Sequence, residues 1–130
     1  MSIDDQEKLA RFVLFSKWIR SSDGTVRPDA FIPYPVPDLS VTQHSGLSED
    51  ALWGIGQTVA DPRPATLYGR ADINAGVVRK QKLNVDAAPV EGNANHVNIS
   101  GWPADKPRQK SIAQQLAAAA TYVPKPSSEP

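Results

Sequence analysis

Residues 93–103 read Asn-Ala-Asn-His-Val-Asn-Ile-Ser-Gly-Trp-Pro. Apolar and polar residues alternate from His96 to Ser100, and this period of two predicts a strand with Val97 and Ile99 facing the core. The Gly-Trp-Pro that follows ends the strand, because proline has no backbone N–H to donate to a sheet. We therefore expect the polar side chains of this strand to lie together on its outer face.

The outer face of this strand is the first candidate binding site. His96, Asn98 and Ser100 project from it together, and Asn95 and Tyr68 are further candidate binding residues. A row of hydrogen-bonding side chains can bind a polar ligand or a water molecule. It can equally be the solvated face of an edge strand, and a lone histidine is more often structural. Both interpretations fit the sequence.

A pair of opposite charges is the second candidate. Arg70 and Asp72 lie two residues apart in a predicted strand and therefore share one face with Tyr68. If that strand lies beside His96, the side chains could converge, with His96 as general acid or base, Asp72 as its orienting group and Arg70 as an anion clamp. These three are the candidate catalytic residues of a small metal-independent hydrolase or transferase. A structural ion pair or exposed charges is the alternative.

Composition argues against several classes of function. Lys plus Arg and Asp plus Glu both number 14, so no net charge attracts a polyanion, and dedicated nucleic-acid binding is not expected. Contact with nucleic acid through the basic clusters stays a minor alternative. These clusters comprise Arg79, Lys80, Lys82, Arg108 and Lys110. Cysteine is absent, which removes disulfides and thiolate chemistry and suits a reducing compartment.

No metal or cofactor is predicted, and no membrane segment. The two histidines, His44 and His96, belong to no metal-binding pattern. Gly54-Ile55-Gly56 lacks the third glycine of a dinucleotide-binding loop. No apolar run is long enough to span a bilayer, and the acidic start of the chain is unlike a signal peptide. We therefore expect a cytoplasmic protein without a membrane partner.

Periodicity and capping signals predict two main helices, at about 48–60 and 105–121. Ser48 can cap the first, and Pro107 suits the first turn of the second. Strands are expected at about 12–15, 38–44, 66–73, 83–88 and 96–100. Residues 9–19 favour a strand without excluding a helix, and residues 77–82 fit either structure.

These elements predict a small single α+β domain with a mixed or mainly antiparallel sheet and long proline-rich loops. The chain holds 12 prolines, and the connection 27–38 is expected to pack Phe31, Ile32 and Tyr34 on the core. We place a flexible N-terminus at 1–8, the domain at 9–123 and a disordered tail at 124–130.

Three segments resemble a group of small uncharacterised bacterial proteins. They are Leu47–Gly56, the tetrad Gly69–Asp72, and His96–Pro103 with the alanine-rich helix after it. The resemblance covers most of residues 10–123 and implies a bacterial source. It implies no activity, cofactor or partner, so no functional residue is carried over from it.

We expect a small cytoplasmic binding or accessory protein that acts through the polar face around His96. Binding is favoured over catalysis because the chain offers positions for polar contacts but no activated nucleophile. The expected partner is a protein or a small polar ligand. A homodimer through an exposed strand edge is a further option.

Overall fold

Within residues 3–33 and 38–126, which the computed structural model describes, six strands form one antiparallel sheet. The strands are β1 (Lys8–Val13), β2 (Leu39–Gln43), β3 (Gly69–Asn74), β4 (Asn84–Ala87), β5 (His96–Ser100) and β6 (Thr121–Pro124). Their order in the sheet is β4-β5-β2-β1-β3-β6. The predicted α+β class and the mainly antiparallel sheet are confirmed.

The helices lie on both faces of this sheet. They are α1 (Glu49–Ala60), α2 (Ala75–Lys80) and α3 (Lys106–Ala119), with short 3-10 helices at Ser16–Trp18 and Pro28–Phe31. The Ser48 hydroxyl accepts a hydrogen bond from the Ala51 N–H, and the Asp105 carboxylate accepts one from the Arg108 N–H. These caps satisfy backbone donors that a helix start leaves unpaired, so both long helices begin close to where the sequence predicts them.

Each face of the sheet has its own hydrophobic core. α2, α3 and the 3-10 helix Pro28–Phe31 cover one face, where Val97 and Ile99 are fully buried as predicted. α1 covers part of the other face, packing Leu52 and Trp53 against Phe12. The division follows from the alternation of side chains along each strand. No helix among the described residues is long and apolar enough to cross a membrane.

Three segments differ from their predicted structure or extend it. β1 begins earlier than the strand expected at 12–15 and gives way to a 3-10 helix, and residues 75–80 are helical. β6, which was not predicted, pairs with β3 and includes Pro124, where the tail was expected to begin. Phe31 is buried as expected. Tyr34 and residues 127–130 lie outside the described residues.

Two glycines of α1 are expected to respond in opposite ways to alanine. A Cβ at Gly54 would meet no atom within 4 Å, whereas a Cβ at Gly56 would lie 2.7 Å from the Phe12 ring. Gly54→Ala should raise the free energy of unfolding by about 0.5–1 kcal/mol through helix propensity. Gly56→Ala should lower it by about 1–3 kcal/mol because the core would be overpacked. Urea unfolding measures both, and stabilisation by Gly56→Ala would contradict the close packing of α1.

Candidate functional site

The two central strands of the sheet separate part-way along their length. β1 and β2 pair at two positions among the described residues, the last being Ala10 with Thr42. β1 continues its pairing with β3 to Val13, and β2 continues its pairing with β5 to Leu39. β1 therefore stays beside β3 and β2 stays beside β5, so a space opens between β1 and β2.

A groove of about 820 Å³ occupies this space. Strands and nearby loops contribute Arg11, Phe12, Ser40, Thr42, Asn93 and His96, the turn after α1 contributes Arg63 and Pro64, and the segment after β1 contributes Phe15, Lys17 and Trp18. Asp29 and Asp38 also line it. The volume lies in the range of small-molecule sites, which are typically about 300–1,000 Å³.

Arg11 lies in the gap between the separated strands. Its Nε donates to the Ala30 carbonyl oxygen at 2.7 Å, and its Nη1 donates to the Ser40 carbonyl oxygen at 3.1 Å. Its guanidinium lies over the Trp18 ring, 5.3 Å from the ring centre. A guanidinium carries five N–H donors, so these two bonds leave three for a ligand.

Arg63 brings a second guanidinium to the same groove. Its Nη1 donates to the Val59 carbonyl oxygen at 2.6 Å, while the rest of the side chain is exposed. Burial, together with the positive charge of Arg63, lowers the pKa of Arg11 to about 10. Neither arginine has an ion-pair partner among the described residues. The groove therefore contains two guanidinium groups whose charges are not neutralised by an ion pair with another described residue.

The floor of the groove is polar and internally hydrogen-bonded. The buried Asn93 donates from Nδ2 to the Thr42 hydroxyl at 2.9 Å. His96 lies opposite Thr42 in the strand register, and its Nδ1 lies 2.8 Å from the Ala88 carbonyl oxygen. Because a carbonyl oxygen only accepts, Nδ1 must carry a proton, and Nε2 of the neutral ring is then an acceptor.

The other predicted binding residues lie outside this groove. Asn98 and Ser100 share the face of His96, as predicted, but do not line the groove. Asn95 binds two backbone carbonyl groups through its Nδ2, those of Gln43 and Ser45, and so fixes the loop before β5. Tyr68 precedes β3, where its carbonyl oxygen accepts from the Tyr122 hydroxyl and the Lys125 N–H.

The structure brings Arg70 and Asp72 together but does not bring His96 to them. Arg70 Nε lies 3.1 Å from both carboxylate oxygens of Asp72. β5 is separated from β3 by β2 and β1, a distance of about 14 Å at the usual strand spacing of about 4.8 Å. The three candidate catalytic residues therefore do not form one site. The histidine beside Asp72 is His44, with Nε2 at 3.0 Å from Oδ1.

The charged cluster around Arg70 attaches α1 to the sheet. The Arg70 guanidinium donates to both carboxylate oxygens of Glu49, in the first turn of α1, and lies 4.7 Å from the centre of the Trp53 ring. Burial lowers the pKa of Arg70, but the hydrogen bonds and charges of Glu49 and Asp72 outweigh it and leave the pKa above its usual value. The pair predicted for catalysis thus connects β3 to the first turn of α1.

Sequence reasoning missed the two arginines of the groove. The signal for Arg11 was its position inside the longest apolar segment of the chain. Arginine is almost never fully buried unless it is paired, so a charge in such a segment indicates a special environment. Arg63 stands between two prolines after α1, which restrict the backbone that carries it. The predicted basic clusters lie elsewhere, and Arg79 among them is paired with Asp5.

Comparison with known proteins found no relative of this chain. No protein-family model, no curated protein and no solved structure matches the chain. Among the described residues, no group of three or more His, Cys, Asp or Glu side chains is placed to bind a metal ion. The groove between β1 and β2 is the candidate functional site of the described residues.

Proposed function

We propose that this protein is a small binding module that takes an anionic ligand in the groove between β1 and β2. The observation that carries the proposal is that two guanidinium groups, those of Arg11 and Arg63, line one groove and influence each other's charge, while neither has an ion-pair partner among the described residues. An anion placed between them would accept hydrogen bonds from the unused N–H groups of both arginines. The site keeps His96 on its floor but is centred on the arginines.

The position of Arg11 favours a charged ligand over a neutral one. A half-buried guanidinium loses hydration, and the nearby charge of Arg63 adds repulsion. An anion bound beside Arg11 would offset both effects. Three free N–H donors on Arg11 match the planar, forked recognition of a phosphate or carboxylate.

The contacts support binding rather than catalysis. His96 lies in the groove without Asp72 or Arg70, and the described groove offers no nucleophile activated by a base. We also propose a bacterial source, because three segments resemble small bacterial proteins, and a cytoplasmic location, because a chain without cysteine suits a reducing compartment.

Arginine substitutions test the proposal through the binding of inorganic phosphate, measured by isothermal titration calorimetry at low ionic strength. Arg63→Gln and Arg11→Gln should each weaken binding about tenfold or more, because a hydrogen bond to a charged group contributes about 1.5–3 kcal/mol. Arg63 is exposed, so its substitution should leave the fold intact even if Arg11→Gln lowers stability.

The matched control is Arg79→Gln, which removes one positive charge from α2, outside the groove. This variant should bind phosphate as the wild type does. Wild-type protein that shows no saturable binding would contradict the proposal, and so would an equal loss of affinity in Arg79→Gln and Arg63→Gln.

A further inference from the structure

We propose that the ligand of this groove is a nucleoside phosphate, with its phosphate group between Arg11 and Arg63 and its base against the ring of Phe15. This inference rests on the proposed function and adds the chemical class of the ligand. Three features beside the arginines carry it: an exposed aromatic ring, two carboxylates and a hydrogen-bonding floor.

The exposed ring belongs to Phe15, which lines the groove with 49% of its surface accessible. It packs edge to face against Trp18, with ring centres 4.9 Å apart and planes at 63°. Trp18 in turn lies beneath the guanidinium of Arg11. An anion on Arg11 is therefore one aromatic residue away from Phe15, whose ring also has Lys17 Nζ 5.9 Å from its centre, and stacking on an exposed aromatic ring is a common way to bind a base.

Two carboxylates line the same groove, Asp29 and Asp38. Their negative charges disfavour a ligand that is anionic along its whole length. Ribose hydroxyls, in contrast, donate hydrogen bonds to carboxylates, and acidic side chains serve this purpose in dinucleotide-binding folds. Two arginines together with two aspartates thus suit a ligand with an anionic end and a neutral part that carries hydroxyl groups.

The floor supplies contacts for the edge of a base. His96 offers Nε2 as an acceptor in its neutral form, because Nδ1 donates to the Ala88 carbonyl oxygen. The Thr42 hydroxyl is 2% exposed and accepts from Asn93 Nδ2, so it holds the floor in place beneath His96. The volume of about 820 Å³ leaves room for a mononucleotide beside these groups.

The test compares three ligands by isothermal titration calorimetry: inorganic phosphate, ribose 5-phosphate and adenosine 5′-monophosphate. The nucleotide should bind about tenfold or more tightly than ribose 5-phosphate, since stacking of a base is the added interaction. Phe15→Leu should bring the nucleotide to the affinity of ribose 5-phosphate, with both ligands measured on the same variant. Phe15→Trp, which keeps an aromatic face, should retain the preference.

The outcomes separate this inference from the proposal on which it rests. If phosphate binds but the nucleotide binds no more tightly than ribose 5-phosphate, the anion site stands and the nucleoside is overturned. If the nucleotide preference survives in Phe15→Leu, the assigned base position is overturned. If none of the three ligands binds, both the inference and the proposed function fail.

Discussion

Replacement of Arg70 by leucine is expected to lower the free energy of unfolding by about 3–5 kcal/mol. Arg70 has 4% of its surface exposed and Asp72 has 9%, so the variant leaves a buried carboxylate without its guanidinium partner. It also removes the contacts that attach α1 to β3 through Glu49 and Trp53. Denaturant unfolding followed by circular dichroism measures the loss.

Two further variants test whether burial of the Arg70–Asp72 pair causes this loss of stability. Glu49→Gln changes the exposed end of the cluster, where the side chain is 66% accessible, and should cost at most about 1 kcal/mol. Arg70→Leu combined with Asp72→Leu should recover part of the stability, because replacing both members of a buried pair by apolar groups is often neutral. If Arg70→Leu lowered the free energy of unfolding no more than Glu49→Gln, the buried Arg70–Asp72 pair would not contribute to stability as proposed.

Gly69→Ala is expected to cost about 3 kcal/mol, near the upper end of the usual effect of overpacking. A Cβ at Gly69 would lie 2.6 Å from the carbonyl oxygen of Val123 and 2.5 Å from the Tyr122 hydroxyl oxygen. The first of these is backbone of β6, so it cannot move without disturbing the pairing of β6 with β3. Urea unfolding should show the lower stability, and amide hydrogen exchange should show lost protection in β6.

The double variant Gly69→Ala with Tyr122→Phe separates the two contacts. Removing the hydroxyl relieves the shortest contact but leaves the Tyr122 Cζ at 2.7 Å and the backbone oxygen of Val123 in place, and it removes the hydrogen bond to the Tyr68 carbonyl oxygen, so stability should recover only in part. A Gly69→Ala protein within about 0.5 kcal/mol of the wild type, the range of a neutral surface change, would contradict the placement of β6.

The local elements of this fold could be predicted because their signals are local. The alternation of Val97 and Ile99 with polar residues gave the faces of β5, and Ser48 marked the start of α1. β6 could not be predicted in this way. Its Tyr122 and Val123 form too short a run to be recognised, and they become a strand only through pairing with β3.

The site depends on long-range order that local patterns do not contain. Asp72 meets His44 because β1 lies between β2 and β3, and no spacing in the chain distinguishes that order from one that would bring His96 there. Arg11 likewise enters a groove only because β1 and β2 separate beyond Ala10. Polar candidates could therefore be named from the sequence, but their grouping could not.

The most direct test of an anion site at Arg11 and Arg63 is a titration of isotope-labelled protein with inorganic phosphate, followed by the side-chain Nε–Hε signals of arginine. Saturable shifts are expected for Arg11 and Arg63, together with the backbone amide of Thr42 on the groove floor, while Arg79 should remain unchanged. Absence of saturable shifts at the two groove arginines, or equal shifts at Arg79, would contradict the account.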